Sequence, residues 1–466
     1  MKAQRFLSQL QQTVAGEQLI IDAARKKPFE TEWRNEYSNP ALAVVFPHNI
    51  TQIQQIIKLC QIHKVAIVPQ GGNTSACGGS IPIESTQLQL ILNLGRLNQI
   101  LQVDAGNRCI TVEAGCILQQ VQQEAAKYDL YFPLSIGAEG SCQIGGNIAT
   151  NAGGIHVIKY GMMRDLVLGL EAVLPNGEIV NQLTALRKNN INFDLKQLFI
   201  GSEGTLGIIT KAVLKLFPRV IDYFTGLIGI KELKQATQIL FTLSKYYSIC
   251  AFEIINRQTQ EIYNSHFAES AFTLEAEWLI LFELEVNYTF DMANFTTLLE
   301  KLKLDLNQII LATNESERRA LWYKREHIPL AEKMAGFAVK HDIALPISNI
   351  DAFLTSNQQN ILTTYPEAQF IVFGHLGDGN LHYNIQVETQ HYPRLEELKY
   401  KINDIVYNDV YKYNGSFSAE HGVGYLKTGW MQKYYDSSSY NLAQSIKALI
   451  DPSNILNPGK VFPFKG

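Results

Sequence analysis

The sequence predicts a two-domain α+β protein, and three observations carry that expectation. At 466 residues the chain is too long for one ordinary core. Between about residues 43 and 217, short β-rich runs alternate with helical stretches and three glycine-rich loops. Beyond Pro218 the chain turns to helices mixed with β-runs and the glycine loops stop. The expected boundary is therefore at Phe217, giving domains 1–217 and 218–466.

Composition narrows the function. Hydrophobic residues at 46% and charged residues at 18% describe a folded chain rather than a disordered one. A net charge of −4 without a basic tract gives no attraction to nucleic acid. The six cysteines form no C-x-x-C pair, so reduced, mostly buried thiols are expected. Residues Met1–Glu17 are polar and glutamine-rich, without the apolar core of a secretory signal, and no apolar run reaches the length of a membrane span. A cytoplasmic location is the expectation, with peripheral docking at a membrane left open.

Taken in order, Ile50–His63 carries Ile53, Ile56, Ile57 and Cys60 as a helical stripe, and Val65–Val68 reads as a strand ending at Pro69. The first loop is Pro69-Gln70-Gly71-Gly72-Asn73-Thr74-Ser75-Ala76-Cys77-Gly78-Gly79. Glycines let consecutive N–H groups approach a ligand, which suits a pyrophosphate, and a tight structural turn explains this loop as well. It has neither the ending of a P-loop nor the spacing of a Rossmann turn. The second loop, Pro133-Leu134-Ser135-Ile136-Gly137-Ala138-Glu139-Gly140-Ser141-Cys142-Gln143-Ile144-Gly145-Gly146-Asn147-Ile148-Ala149-Thr150-Asn151-Ala152-Gly153-Gly154, is too long and too glycine-rich for a mere connector. A flat, polar ligand against this backbone would account for it. The third, Gly201-Ser202-Glu203-Gly204-Thr205-Leu206-Gly207-Ile208-Ile209, leads into a strand.

Further on, Trp278–Leu284 reads as a strand and Pro393–Tyr413 as a helix. Between them lies Phe373-Gly374-His375-Leu376-Gly377-Asp378-Gly379-Asn380-Leu381-His382-Tyr383-Asn384, followed by Glu420-His421-Gly422. With Asp378-Gly379 as a hairpin turn, His375 and His382 would lie directly across two strands, their Cβ atoms about 5 Å apart, and Asn384 would share their face. Two such imidazoles can hold one divalent metal, and Glu420 would complete three protein ligands. The plain alternative is a glycine-rich hairpin with two solvent-facing histidines.

Together these segments resemble the flavoproteins of vanillyl-alcohol-oxidase fold, and most closely the FAD-dependent D-2-hydroxyacid dehydrogenases of the D-2-hydroxyglutarate branch. These also carry His-Leu-Gly-Asp-Gly-Asn-Leu-His, Glu-His-Gly and Asn-Pro-Gly-Lys. The resemblance implies an N-terminal FAD-binding domain of PCMH type and a C-terminal α+β substrate domain with an antiparallel sheet, whose last segment, with Asn457, returns to the flavin. Pro69 to Ser80 would hold the FAD pyrophosphate, and Pro133–Gly154 with Gly201–Ile209 would line the rest. Gly72-Asn73-Thr74-Ser75 lacks the histidine that members with covalent flavin often carry, so noncovalent FAD is expected.

Oxidation of a 2-hydroxy acid removes a hydroxyl proton and a hydride. His421, next to Glu420, is the expected base, and zinc the expected metal. The resemblance places substrate contacts at Arg325 and Lys340 for a distal carboxylate and at Asn384 for the proximal one. Electron-transfer flavoprotein or a quinone would reoxidise the flavin, and a homodimer is compatible with the family. Pro329 departs from the family pattern, where some members carry a threonine contacting the distal carboxylate, as does Asn190-Ile191-Asn192-Phe193-Asp194. D-2-hydroxyglutarate leads as substrate, with D-lactate or D-malate as alternatives. A noncatalytic flavin-binding subunit and an oxygen-reducing oxidase are the rival readings.

Overall fold

The computed structural model describes residues 2–267, 274–286, 290–392 and 394–463. They form two compact units, one of Met1–Gly153, Gly161–Arg219 and Glu420–Gly466, the other of Gly154–Tyr160 and Val220–Ala419. The division differs from a single cut at Phe217: the first unit takes back the last segment, and the second claims 154–160. Within the second unit that short segment is held by Lys159 and Tyr160, whose side chains both donate to the Glu285 carboxylate.

The first unit contains a four-stranded sheet in the order Leu19–Ile20, Ala43–Val45, Gln89–Asn93, Ala66–Gln70. The last three strands run parallel and are nearly all buried, which is why they read as continuous apolar runs. Helix Ile50–His63 crosses between two of them. Its stripe of Ile53, Ile56, Ile57 and Cys60 is fully buried. The Asn49 side chain caps its start by accepting the Gln52 N–H at 3.0 Å, and Lys64 ends it with φ of 50°. Pro69 lies inside its strand rather than ending it. That is tolerated because the strand stands at the sheet edge, where a proline removes no ladder bond from a central pair. A five-stranded antiparallel sheet follows in the order Ile100–Asp104, Cys109–Glu113, Ile208–Lys215, Val167–Val173, Ile179–Gln182.

The second unit is built on an antiparallel sheet. Its order is Ile309–Leu311, Asp222–Ile230, Trp278–Val286, Ser248–Asn256, Gln369–Gly374, Asn380–Gln386, Ala338–Val339, with Asp342–Ala344 also pairing to Asn380–Gln386. Helices Arg257–His266 and Glu315–Ala335 cover it, burying Ile262, Tyr263, Leu321, Trp322, Ile328 and Ala331 against Ile255, Leu279, Leu281, Ile371 and Phe373. Each buried Leu, Ile or Phe among them contributes about 1.5–3 kcal/mol. Asn314 starts the longer helix by accepting the Glu317 N–H at 3.0 Å. That helix runs through Pro329, which has no N–H to return to the Arg325 carbonyl.

The hairpin differs from the sequence expectation. Phe373, not His375, pairs with His382, and residues 375–379 form a loop in which Asp378, Gly379 and Asn380 all donate to the His375 carbonyl. A two-residue turn at Asp378-Gly379 is excluded because Gly374, with φ of 153°, takes the chain out of the strand early. A Cβ there would stand 2.6 Å from the Asn380 carbonyl oxygen. All six cysteines are buried and none forms a disulfide. No helix among the described residues is long and apolar enough to cross a membrane.

Candidate active site

In the first unit the glycine loops converge. Gly72 presses so closely on the second loop that a Cβ would stand 2.0 Å from the Ser141 carbonyl oxygen, and Gly145 is similarly closed by Ala114. Asn93 fixes the first loop, donating to Gln70 Oε1 and the Gly71 carbonyl at 3.1 Å each. Asn73, in the left-handed region with φ of 54°, donates to the Thr31 carbonyl and accepts from Ser80. Among the described residues, no protein acceptor receives the backbone N–H groups of Gly71, Gly72, Asn73, Thr74, Ser75 and Ala76. A run of unused donors on a glycine turn is the chemistry that a pyrophosphate needs. Gly146 faces open space, with no atom beyond its chain neighbours and its own helix backbone within 4 Å of the point where a Cβ would stand. FAD fits this cradle.

Not every residue expected to line the cofactor offers its side chain. Gln70 donates to the Phe29 and Ser80 carbonyls, Asn147 is buried and donates to Cys142 Sγ, and Gly207 is closed by Phe199. Glu203, in the left-handed region, accepts the N–H groups of Val423 and Gly424 at 2.7 and 2.8 Å. Burial nonetheless raises its carboxyl above the ordinary range, against the pull of those donors. Asn457 joins the first and third loops by donating to the Gly79 and Glu203 carbonyls. Gly154 belongs to the second unit.

In the second unit, the His375 and His382 rings meet edge to face with centroids 5.6 Å apart. Glu253, fully buried on strand Ser248–Asn256, accepts His375 Nδ1 at 2.6 Å with one oxygen and Arg325 Nε at 2.7 Å with the other. Burial alone would raise this carboxyl, but the neighbouring His375 and Arg325 outweigh it and hold it down at about 2. A carboxylate on Nδ1 fixes the tautomer and presents Nε2 to a metal. Asp342 pairs with His382 across the strands, and its carbonyl accepts the Ala419 N–H. Glu420 is the next residue along the chain. Asp378, in the loop after His375, is pushed up to about 6 by burial.

The residues expected to bind substrate are placed less simply. Arg325 is buried, its guanidinium 4.8 Å from the Phe373 ring centroid, and its terminal nitrogens meet no acceptor among the described residues. Asn384 uses its oxygen on the His341 N–H at 3.0 Å. Lys340 is exposed, and its Nζ is paired with the buried Glu332 at 2.9 Å. In the first unit, His421 Nε2 lies 3.6 Å from Glu420 Oε1. Sequence reasoning missed Glu253 and Glu332; the one available signal was an acid inside the apolar run Cys250-Ala251-Phe252-Glu253-Ile254-Ile255. A second cluster, His156, Cys250 and Glu283, is a poor metal site, because Glu283 already accepts Thr225, Trp322 and two nitrogens of Arg318.

A family description for an FAD binding domain matches residues 41–182, and one for the C-terminal domain of FAD linked oxidases matches residues 224–461. The chain belongs to the FAD-linked oxidase family and binds FAD. Within it, the likeness is to the D-2-hydroxyacid dehydrogenases. A mitochondrial D-2-hydroxyglutarate dehydrogenase of Arabidopsis thaliana is 34% identical over 97% of this chain and 80% of its own. A Schizosaccharomyces pombe protein, named provisionally as a mitochondrial D-lactate dehydrogenase, is 35% identical over 94% and 85%. A D-2-hydroxyglutarate dehydrogenase of Xanthomonas citri is 32% identical over 98% and 97%. Among solved structures, p-cresol methylhydroxylase aligns over 99% of this chain and 97% of its own with a TM-score of 0.76 at 16% identity, a likeness of fold. The mitochondrial names overturn the expectation of a cytoplasmic protein. Composition and an N-terminal reading carry no reliable address, since compartment is set by a receptor-read signal rather than by the folded core.

Proposed function

We propose that this enzyme oxidises a D-2-hydroxy acid to the 2-oxo acid, with D-2-hydroxyglutarate the leading substrate and a divalent metal held by His375, His382 and Glu420. The carrying observation is the buried Glu253 carboxylate, which ties a metal-type histidine to an arginine with unused donors. Glu420 follows Ala419, whose N–H is anchored on the strand partner of His382, and its carboxylate would serve as a third ligand beside the two imidazoles. The metal, zinc by its histidine and carboxylate ligands, would supply Lewis acidity toward the substrate hydroxyl, and noncovalent FAD a two-electron acceptor. Arg325 orients a substrate carboxylate through its planar fork, Asn384 donates through its amide NH₂, and neutral His421 takes the hydroxyl proton. Electron-transfer flavoprotein or a quinone then accepts the electrons.

D-lactate is the second reading, favoured by Pro329 and by the Glu332 partner of Lys340. The test is anaerobic bleaching of the bound flavin by D- and L-2-hydroxyglutarate, D-lactate and D-malate, before and after chelation. The D-acid is expected to bleach the flavin, and chelation to abolish this until zinc is restored. Bleaching that survives demonstrated metal removal would sink the metal, and no bleaching by any acid would sink the substrate class.

A further inference from the structure

Glu332 lies seven residues after Arg325 on helix Glu315–Ala335, beside Ile328 and Ala331 of the core. It is 2% exposed. One carboxylate oxygen accepts Lys340 Nζ at 2.9 Å, while the other is buried without a hydrogen-bond partner. Lys340 is the one cation bound to it among the described residues. Lys340 in turn sits between Val339, paired with Ile385, and His341, whose N–H donates to Asn384.

The two expected anion-binding cations are thus each matched by a buried acid, Arg325 by Glu253 and Lys340 by Glu332. A distal substrate carboxylate would bring a further negative charge. Lys340 Nζ, already on Glu332 from an exposed side chain, would have to share its one positive charge between that carboxylate and the buried Glu332, which weakens its pull on the substrate. Pro329, four residues after Arg325 on the same helix, offers no N–H or hydroxyl in compensation. An acid without a distal carboxylate makes no such demand.

We infer that Glu332 is a specificity-determining residue, which by holding Lys340 lowers the preference for 2-hydroxy acids bearing a distal carboxylate and admits monocarboxylates such as D-lactate. This rests on the substrate roles proposed for Arg325 and Asn384 and on the distal-carboxylate role expected of Lys340. The test compares kcat and KM of the holoenzyme for D-2-hydroxyglutarate and D-lactate in the wild type, Glu332→Gln, and the double variant Glu332→Gln with Lys340→Met. Glutamine keeps the shape while removing the charge. The ratio of kcat/KM for D-2-hydroxyglutarate over D-lactate should rise about tenfold in Glu332→Gln. The change should fall on the KM for the dicarboxylate, with kcat unmoved, and vanish in the double variant. An unmoved ratio with turnover intact, or equal changes for both acids, would overturn the role of Glu332 alone. Should Glu332→Gln fail to fold, Glu332→Leu reads the same ratio. If the wild type oxidises neither acid, the substrate reading falls and this inference with it.

Discussion

Glu253 shows how one buried residue can organise a site. Its carboxylate is fully buried and shared between His375 and Arg325, so it sets the tautomer of one and the direction of the other. Breaking such a contact weakens metal affinity by about 10–100-fold in comparable sites. Glu253→Gln should therefore release metal to a competing chelator at correspondingly lower concentration, as measured by metal analysis after dialysis. Retention equal to the wild type would detach Glu253 from any metal role. His375, His382 and Glu420 stand out as candidates in the sequence because their residue types and spacing are unusual in a glycine-rich segment. Glu253 does not, because a lone acid in an apolar strand acquires its partners from helix Glu315–Ala335 and from the loop after Gly374, both far away in sequence.

Among the elements, the glycine loops separate two uses of the same residue. Gly72 is closed by the Ser141 carbonyl, whereas Gly146 meets nothing within 4 Å beyond its chain neighbours and its own helix backbone. Gly146→Ala should lower FAD affinity while raising the thermal stability of the apoprotein, because alanine improves a helix interior by about 1 kcal/mol. Gly72→Ala should lower both. Flavin titration and thermal melts of the apoproteins check this, and unchanged FAD affinity in Gly146→Ala would remove that surface from the cofactor site. Periodicity gave helix Ile50–His63 and its buried stripe correctly. The hairpin turn was misplaced by one residue at its centre because Asp-Gly preference is local, whereas the loop 375–379 is fixed by Gly374 and by the bond from Asn380 to Asp342.

At the scale of the whole molecule, the C-terminal segment closes the first unit. Ile67 receives a bond from Asn457 and donates to Ile455, while buried Lys460 donates to the Ile81 carbonyl. Burial pushes the Lys460 ammonium down to about 7, partly offset by Glu203. The unfolded chain holds that proton up to its ordinary range near 10.5. Below the folded value the penalty for burying the charge is full, and it is relieved as pH rises from about 7 toward 10.5, by about 1.4 kcal/mol per pH unit. Relative to Lys460→Met, the wild type should gain stability across that window in denaturant melts; a difference independent of pH would contradict it. The sequence by itself determined the α+β class and the FAD-binding domain, because loop composition and motif spacing are properties of contiguous residues. Only the tertiary structure decided that Glu253 serves His375 and Arg325 together, that Lys340 is bound to Glu332, and that 420–466 completes the first unit. Those outcomes depend on which charges share a buried space, and burial is a property of the packed chain.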